Sequence, residues 1–279
     1  DDTVQMEFLQ TKGTDFADRK LIEGNTYIRE KADEMVESLN GVSQLAEEEA
    51  RKLTEQLRSG SFVSQDNIHT PDVVLDELTA IQVAVTKLEE KAANYNEYQG
   101  LFYVPVQFEF QEVEKVKGLF GEKSKLWNLV SEWKAQLEVW KKTDITQLNV
   151  EEMNKKVLEY SKTAYQLTRS LEGDKVAQEI RSEIDEWKGN MPCILDLGNP
   201  ALRDRHRARI RQEIDLKQTS VNLTVLISNK VFDKKDFIAE ISGVASGEFA
   251  LEQQLEKVIT AWEDMPLPVQ NHRNQRELW

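Results

Sequence analysis

Apolar residues recur along this chain at helical spacing. Val74, Leu78, Ile81, Val85, Leu88, Ala92 and Tyr95 alternate steps of four and three without exception, which predicts a helix face packed along a partner helix. Ile28, Ala32, Met35, Leu39, Val42 and Ala46 keep the same rhythm, and Ala50, Leu53 and Leu57 extend it. This second stripe predicts a helix of about thirty residues, roughly 45 Å at 1.5 Å per residue. Ser59-Gly60-Ser61 ends it, and after a turn-rich connection Thr70 and Pro71 supply a cap and a first helical residue for the next. The two helices are expected to pair antiparallel. Ahead of them, Asp1 to Ile22 carries only a short helical pattern, Val4 and Phe8, broken near Gly13.

Further stripes follow. Val106, Phe108 and Phe110 alternate with polar residues, but a lone strand has no second one to pair with, so an extended connector with its aromatics on helices is expected. Leu126, Val130, Trp133, Leu137 and Trp140 predict a helix with a tryptophan-marked core face. Asn149 and Glu152 form a capping-box start for Met153, Val157, Tyr160, Ala164, Leu167 and Leu171, which end at Gly173. Asp174 opens a helix through Ala177, Ile180, Ile184 and Trp187, and Gly189 and Pro192 are expected to stop it. Asn199 and Pro200 then read as the cap and first residue of another helix, completing a corner from Trp187 to Ile210. Val221 to Phe232 fits helix or strand by periodicity alone, and its neighbours favour helix. Asp233 or Asp236 opens a last helix through Phe237, Ile241, Val244, Leu251, Leu255, Val258 and Trp262, stopped by Pro266 and Pro268. The expected fold is all-α, an elongated stack of antiparallel long helices in serial bundles.

With 279 residues, 39% of them hydrophobic and only six prolines, the chain can build a core. Its net charge of −14 argues against nucleic acid as a partner, because phosphate binding needs a cationic surface. No run is long and apolar enough to span a bilayer, and the start lacks a secretory pattern, so the chain reads as intracellular and free of membrane. The single cysteine, Cys193, excludes an internal disulfide and reads as a small buried hydrophobe.

Candidate chemistry is sparse. Glu47-Glu48-Glu49 reads as a solvated face, since consecutive helical residues point about 100° apart and cannot converge on one ion. Gly118-Leu119-Phe120-Gly121-Glu122-Lys123-Ser124 imitates a phosphate-binding loop, but Glu122 occupies the place of the glycine before the lysine. It reads instead as a flexible seam, with Gly118 and Gly121 as candidate hinges. Arg203, Arg205, Arg207, Arg209 and Arg211 spread around a helix and are expected to pair with the chain's own carboxylates, with a contact surface as the alternative. His206 has no nucleophile beside it in sequence and reads as structural. No catalytic residue, cofactor or metal site is expected.

The corner carries a resemblance. Met191-Pro192, then Leu197-Gly198-Asn199-Pro200-Ala201-Leu202-Arg203-Asp204-Arg205-His206, closely resembles the start of the linker of dynein heavy chains, most like the axonemal ones. Leu126-Trp127, Trp133 and Trp140 resemble the helix that opens that linker, and Ile238-Ala239-Glu240-Ile241-Ser242 through Glu252, Leu255 and Trp262 resembles its later long helix. The resemblance covers roughly Leu119 to Met265, with Arg207 standing where the family usually shows a tryptophan. It implies a tail bundle over 1–118 and the N-terminal part of the linker over 119–279, in a fragment whose ATPase lies elsewhere. Trp187, Pro192, Asn199, Pro200, Arg203, Arg205 and His206 become the candidate corner or interface.

In that family the linker lies across a ring of AAA+ modules and passes force to the tail. The implied partners are therefore that ring, which holds ATP and Mg, light or intermediate chains, and the microtubule of a ciliary or flagellar axoneme. A spectrin-like static crosslinker is the rival, but such proteins repeat, and no internal repeat is found here. A stand-alone enzyme would have to bind nucleotide itself.

Overall fold

The computed structural model describes residues 2–101, 108–214, 222–263, 265–266, 271–272 and 275–276. Among them the chain forms eight α-helices: α1 (Asp2–Leu57), α2 (Pro71–Leu101), α3 (Gln111–Lys142), α4 (Val150–Ser170), α5 (Lys175–Leu197), α6 (Asp204–Glu213), α7 (Leu223–Ser228) and α8 (Lys235–Glu263). The only strands among the described residues are β1 (Asn271–His272) and β2 (Gln275–Arg276), paired antiparallel. The fold is all-α, as expected. It divides into two compact units, one of residues 1–131 and 167–179, the other of 132–166 and 180–279, so α3, α4 and α5 each contribute to both.

In the first unit the heptad stripe of α2 is buried from Val74 to Ala92 and faces Leu39, Ala46, Ala50 and Leu57 of α1. Pro71 opens α2, as its fixed φ and missing N–H predict. α1 is longer than the sequence suggests, a single helix of 56 residues through Gly13 and Gly24. Both glycines have open space around them, and each costs about 1 kcal/mol relative to alanine, too little to break a helix.

Glu47 departs from the solvated face expected of it. It is buried, and its two carboxylate oxygens accept the Glu112 N–H at 3.2 and 3.0 Å, placing an anion at the positive N-terminus of α3. Glu49 keeps to the surface and pairs with Lys91. Of the connector before α3, residues 102–107, Val106 included, lie outside the described set. Phe108 and Phe110 pack edge to face at 5.2 Å, Phe110 stacks on Tyr95, and the buried Gln99 side chain bonds both the N–H and the carbonyl of Phe108.

α3 runs unbroken through Gly118 and Gly121, so the seam expected there is not a break between helices. The imitation phosphate loop is therefore helical, and Lys123 is among the most buried large side chains of the protein. Its Nζ donates to the Phe62 carbonyl at 2.8 Å and to Asp174 Oδ2. Asp174 turns Oδ1 the other way, accepting the Val176 and Ala177 N–H groups at 2.9 and 3.1 Å and capping α5. Gly173, at φ 81°, supplies the left-handed residue that ends α4 just before it.

Breaking a buried pair leaves one charge without its counter-ion. Lys123→Met is expected to lower unfolding stability in urea titration by about 3–5 kcal/mol. Adding Asp174→Asn, which keeps the cap but removes the charge, recovers most of the loss. A double variant no better than the single would show that the pair is not the source.

Candidate functional site

The second unit has an aromatic centre and a corner. Trp133 is fully buried on α3 and meets Trp140, Tyr160 and Trp187 edge to face, with ring centroids 6.1, 5.6 and 6.4 Å away. Its indole N–H donates to Glu183 Oε1 at 3.2 Å, and Lys134 holds Oε2 of the same carboxylate at 2.6 Å. Burial, with Glu132 and Glu159 nearby, raises the Tyr160 phenol above its ordinary range. Trp187 is half-buried and also lines a groove with Lys141, Asn190, Ile227 and Phe232.

Pro192 does not stop α5, which continues past Gly189 to Leu197. An internal proline costs one backbone hydrogen bond and about 3 kcal/mol. The next turn offsets this by burying Met191, Cys193 and Ile194, while the proline itself stays exposed. Burial is also what pushes the Cys193 thiol up to about 11, with the Asp196 charge adding to it.

Asn199 and Pro200 do not begin a helix. The Leu202 N–H donates to the Asn199 carbonyl at 3.1 Å, closing a four-residue turn with proline in its second position. Asn199 Oδ1 accepts the Ala201 N–H, and its Nδ2 reaches Ser242 Oγ at 2.9 Å and Ser246 Oγ at 2.8 Å, both on α8. The turn is thereby tied to α8.

α6 starts after Arg203, and His206 shows why. Its Nδ1 accepts the Arg203 N–H at 3.2 Å, the reciprocal half of a capping box, and its Nε2 lies 3.1 Å from Glu248. Arg205 also pairs with Glu248, and Arg203 with Glu252 one turn further along α8. The hydrogen bond from Arg205 is the main reason the Glu248 carboxyl sits below its ordinary range. These two arginines thus pair within the chain. Arg209 instead lies 5.7 Å over the Phe237 ring. Arg207, at the position where the resemblance expects tryptophan, donates Nε–H to the Leu202 carbonyl and borders a small pocket.

The structure therefore gathers Asn199, Arg203, Arg205 and His206 against α8. Pro192 and Pro200 stay exposed, Trp187 belongs to the aromatic centre, and Gly118 and Gly121 lie mid-helix in the other unit. Sequence reasoning expected carboxylate partners for the arginines without naming them; Ser242 and Glu252 entered only within the resemblance, and Ser246 and Glu248 not at all. Gly198 was quoted only within the motif, and its close approach to Val150, where an added Cβ would come within 2.7 Å of Cγ1, was not legible.

Fold and site together define an all-α segment, with a tryptophan-centred core and a turn clasped to a long helix. The chain belongs to the dynein heavy chain family: residues 113–279 match the family model "Dynein heavy chain, N-terminal region 2". It is 34% identical over 206 residues to human dynein axonemal heavy chain 6, covering 72% of this chain and 5% of that protein. Against the dynein-1-beta heavy chain, flagellar inner arm I1 complex, of Chlamydomonas reinhardtii it is 25% identical over 255 residues, 90% of this chain and 5% of that one. A ciliary dynein beta chain of Tripneustes gratilla is 22% identical over 191 residues, 67% of this chain and 4% of its own. The chain thus spans about 5% of the length of the relatives it matches first.

Two measurements probe the corner. Val150 is β-branched and cannot swing away, so Gly198→Ala is expected to cost about 1–3 kcal/mol in urea titration. Val150→Ala in the same chain should recover most of that, making the pair strongly non-additive; additive losses would contradict the close approach. The second concerns pH. A carboxyl held below its ordinary range in the fold adds stability above its unfolded pKa and loses it as pH falls through its folded pKa. The melting-temperature gap between the parent chain and Glu248→Gln should therefore be present near neutrality and close in acid. A gap that is constant with pH would exclude this contribution.

Proposed function

We propose that this chain is a non-catalytic mechanical segment of a dynein heavy chain, joining the tail, residues 1–118, to the N-terminal part of the linker, residues 119–279. The match to N-terminal region 2 over 113–279 carries the reading. The corner supports it: a turn and a short helix held on a long one by hydrogen bonds and ion pairs can transmit displacement without chemistry of their own. Nucleotide and Mg chemistry is assigned to the AAA+ ring of the same heavy chain, and light or intermediate chains and the microtubule to the complete molecule. The relatives' names point to a ciliary or flagellar axoneme as the site of action. A spectrin-like static crosslinker is not favoured by the family match.

The test uses the heavy chain carrying this segment. Arg203→Ala with Arg205→Ala should slow microtubule gliding while ATP turnover is retained, because the clasp couples motion rather than making it. Calorimetric titration of the 279-residue chain with MgATP should show no binding. Unchanged gliding, a parallel loss of turnover, or saturable MgATP binding would each sink the proposal.

A further inference from the structure

Beside α6 lies a half-open pocket of about 70 Å³ with Leu202, Ile210, Ile214 and Leu226 in its wall and Arg207 and Arg211 at its edge. The two arginines are four residues apart on one helix, so their guanidinium groups stand on the same side. Arg207 is steadied by its Nε–H bond to the Leu202 carbonyl at 3.3 Å, which uses one of its five N–H donors. Among the described residues no ion pair includes either of them, whereas Arg203 and Arg205 on the same segment are held by Glu252 and Glu248. Asp144 also borders the pocket, with Oδ1 turned to the N–H and hydroxyl of Thr146.

In a chain of net charge −14, two such guanidinium groups beside an apolar hollow reverse the local sign. We propose that this pocket docks an acidic polypeptide segment, one aliphatic side chain filling the hollow and flanking carboxylates meeting Arg207 and Arg211. Size sets the first half of that occupant. The volume, about 70 Å³, is under half of the roughly 150 Å³ that admits benzene, so a single aliphatic side chain suits it and a ring does not. Charge sets the second half, because planar guanidinium groups take carboxylates in two-point hydrogen bonds. Nucleic acid offers the anion but no aliphatic insert for the hollow.

The probe is a blocked, dye-labelled pentapeptide, Glu-Glu-Leu-Glu-Glu, followed by fluorescence anisotropy on the full 279-residue chain. Saturable binding is expected, weakened about tenfold when the peptide leucine becomes alanine and by added salt. Arg207→Gln with Arg211→Gln should weaken it by about tenfold or more. An unchanged thermal midpoint in that variant shows that the fold is intact, and shifts of the Ile210 and Ile214 methyl resonances place the peptide. The proposal is overturned by no saturable binding, by equal affinity for Lys-Lys-Leu-Lys-Lys, or by an undiminished double variant. Complete displacement by inorganic phosphate overturns it too, reducing the site to a simple anion contact.

Discussion

An ammonium group sealed from water has to be answered by acceptors brought to it, and Lys123 is such a group. The Phe62 carbonyl and the Asp174 carboxylate are contributed by chain 61 residues before it and 51 after it. The first unit can therefore close only with the turn after α1, the middle of α3 and the start of α5 together. A misaligned seam of leucines loses part of its contact, but a misaligned lysine is left as a buried charge, which costs several kcal/mol. The apolar stripes thus supply most of the burial, and the lysine fixes which arrangement of those stripes is allowed. Asp174 makes the demand stricter, because the same carboxylate also caps α5.

That lysine was partly legible. Val116, Leu119, Lys123, Leu126, Val130 and Trp133 step by three and four, so Lys123 occupies a seam position and its burial could have been inferred from phase alone. Its likeness to a phosphate-loop lysine drew attention to the wrong property. The heptad of α2, the Asn149 cap of α4 and the tryptophan face of α3 were all readable, because local chemistry and tertiary packing there agree. The reading failed where one residue type serves two local structures. Asn-Pro suits a helix start and a tight turn equally, and only the two serines of α8, over forty residues away, decide for the turn. Pro192 failed the other way, since the burial of its neighbours outweighs a local penalty that the sequence displays plainly.

Periodicity also reports which side of a helix is apolar without saying whether anything covers it. Leu21, Ile28 and Met35 on α1, and Leu251, Leu255, Val258 and Trp262 on α8, keep helical spacing yet are exposed among the described residues. The α1 stripe continues a face that is buried further along the same helix, at Leu39 and Ala46, whereas the α8 stripe is turned away from the face buried at Ile238, Ser242 and Ala245. Phase is a property of the sequence, whereas cover depends on how far the partner helix extends.

The energies within the second unit are unevenly distributed, and that bears on the proposed mechanical role. The Trp133 cluster is interlocked by three edge-to-face contacts and anchored by Glu183, so its rearrangement would expose large aromatic surfaces at a cost of several kcal/mol. The clasp of Asn199, Arg203 and Arg205 on α8 relies on hydrogen bonds and exposed ion pairs, which water and salt weaken. Thermal energy can open such contacts singly and leave the aromatic core untouched. The proposed mechanical role needs that ordering, with the weak contacts at the joint and the strong ones inside the body. Because His206 caps α6 and faces Glu248 at once, the start of the short helix has a second tie to α8 beside the two arginines.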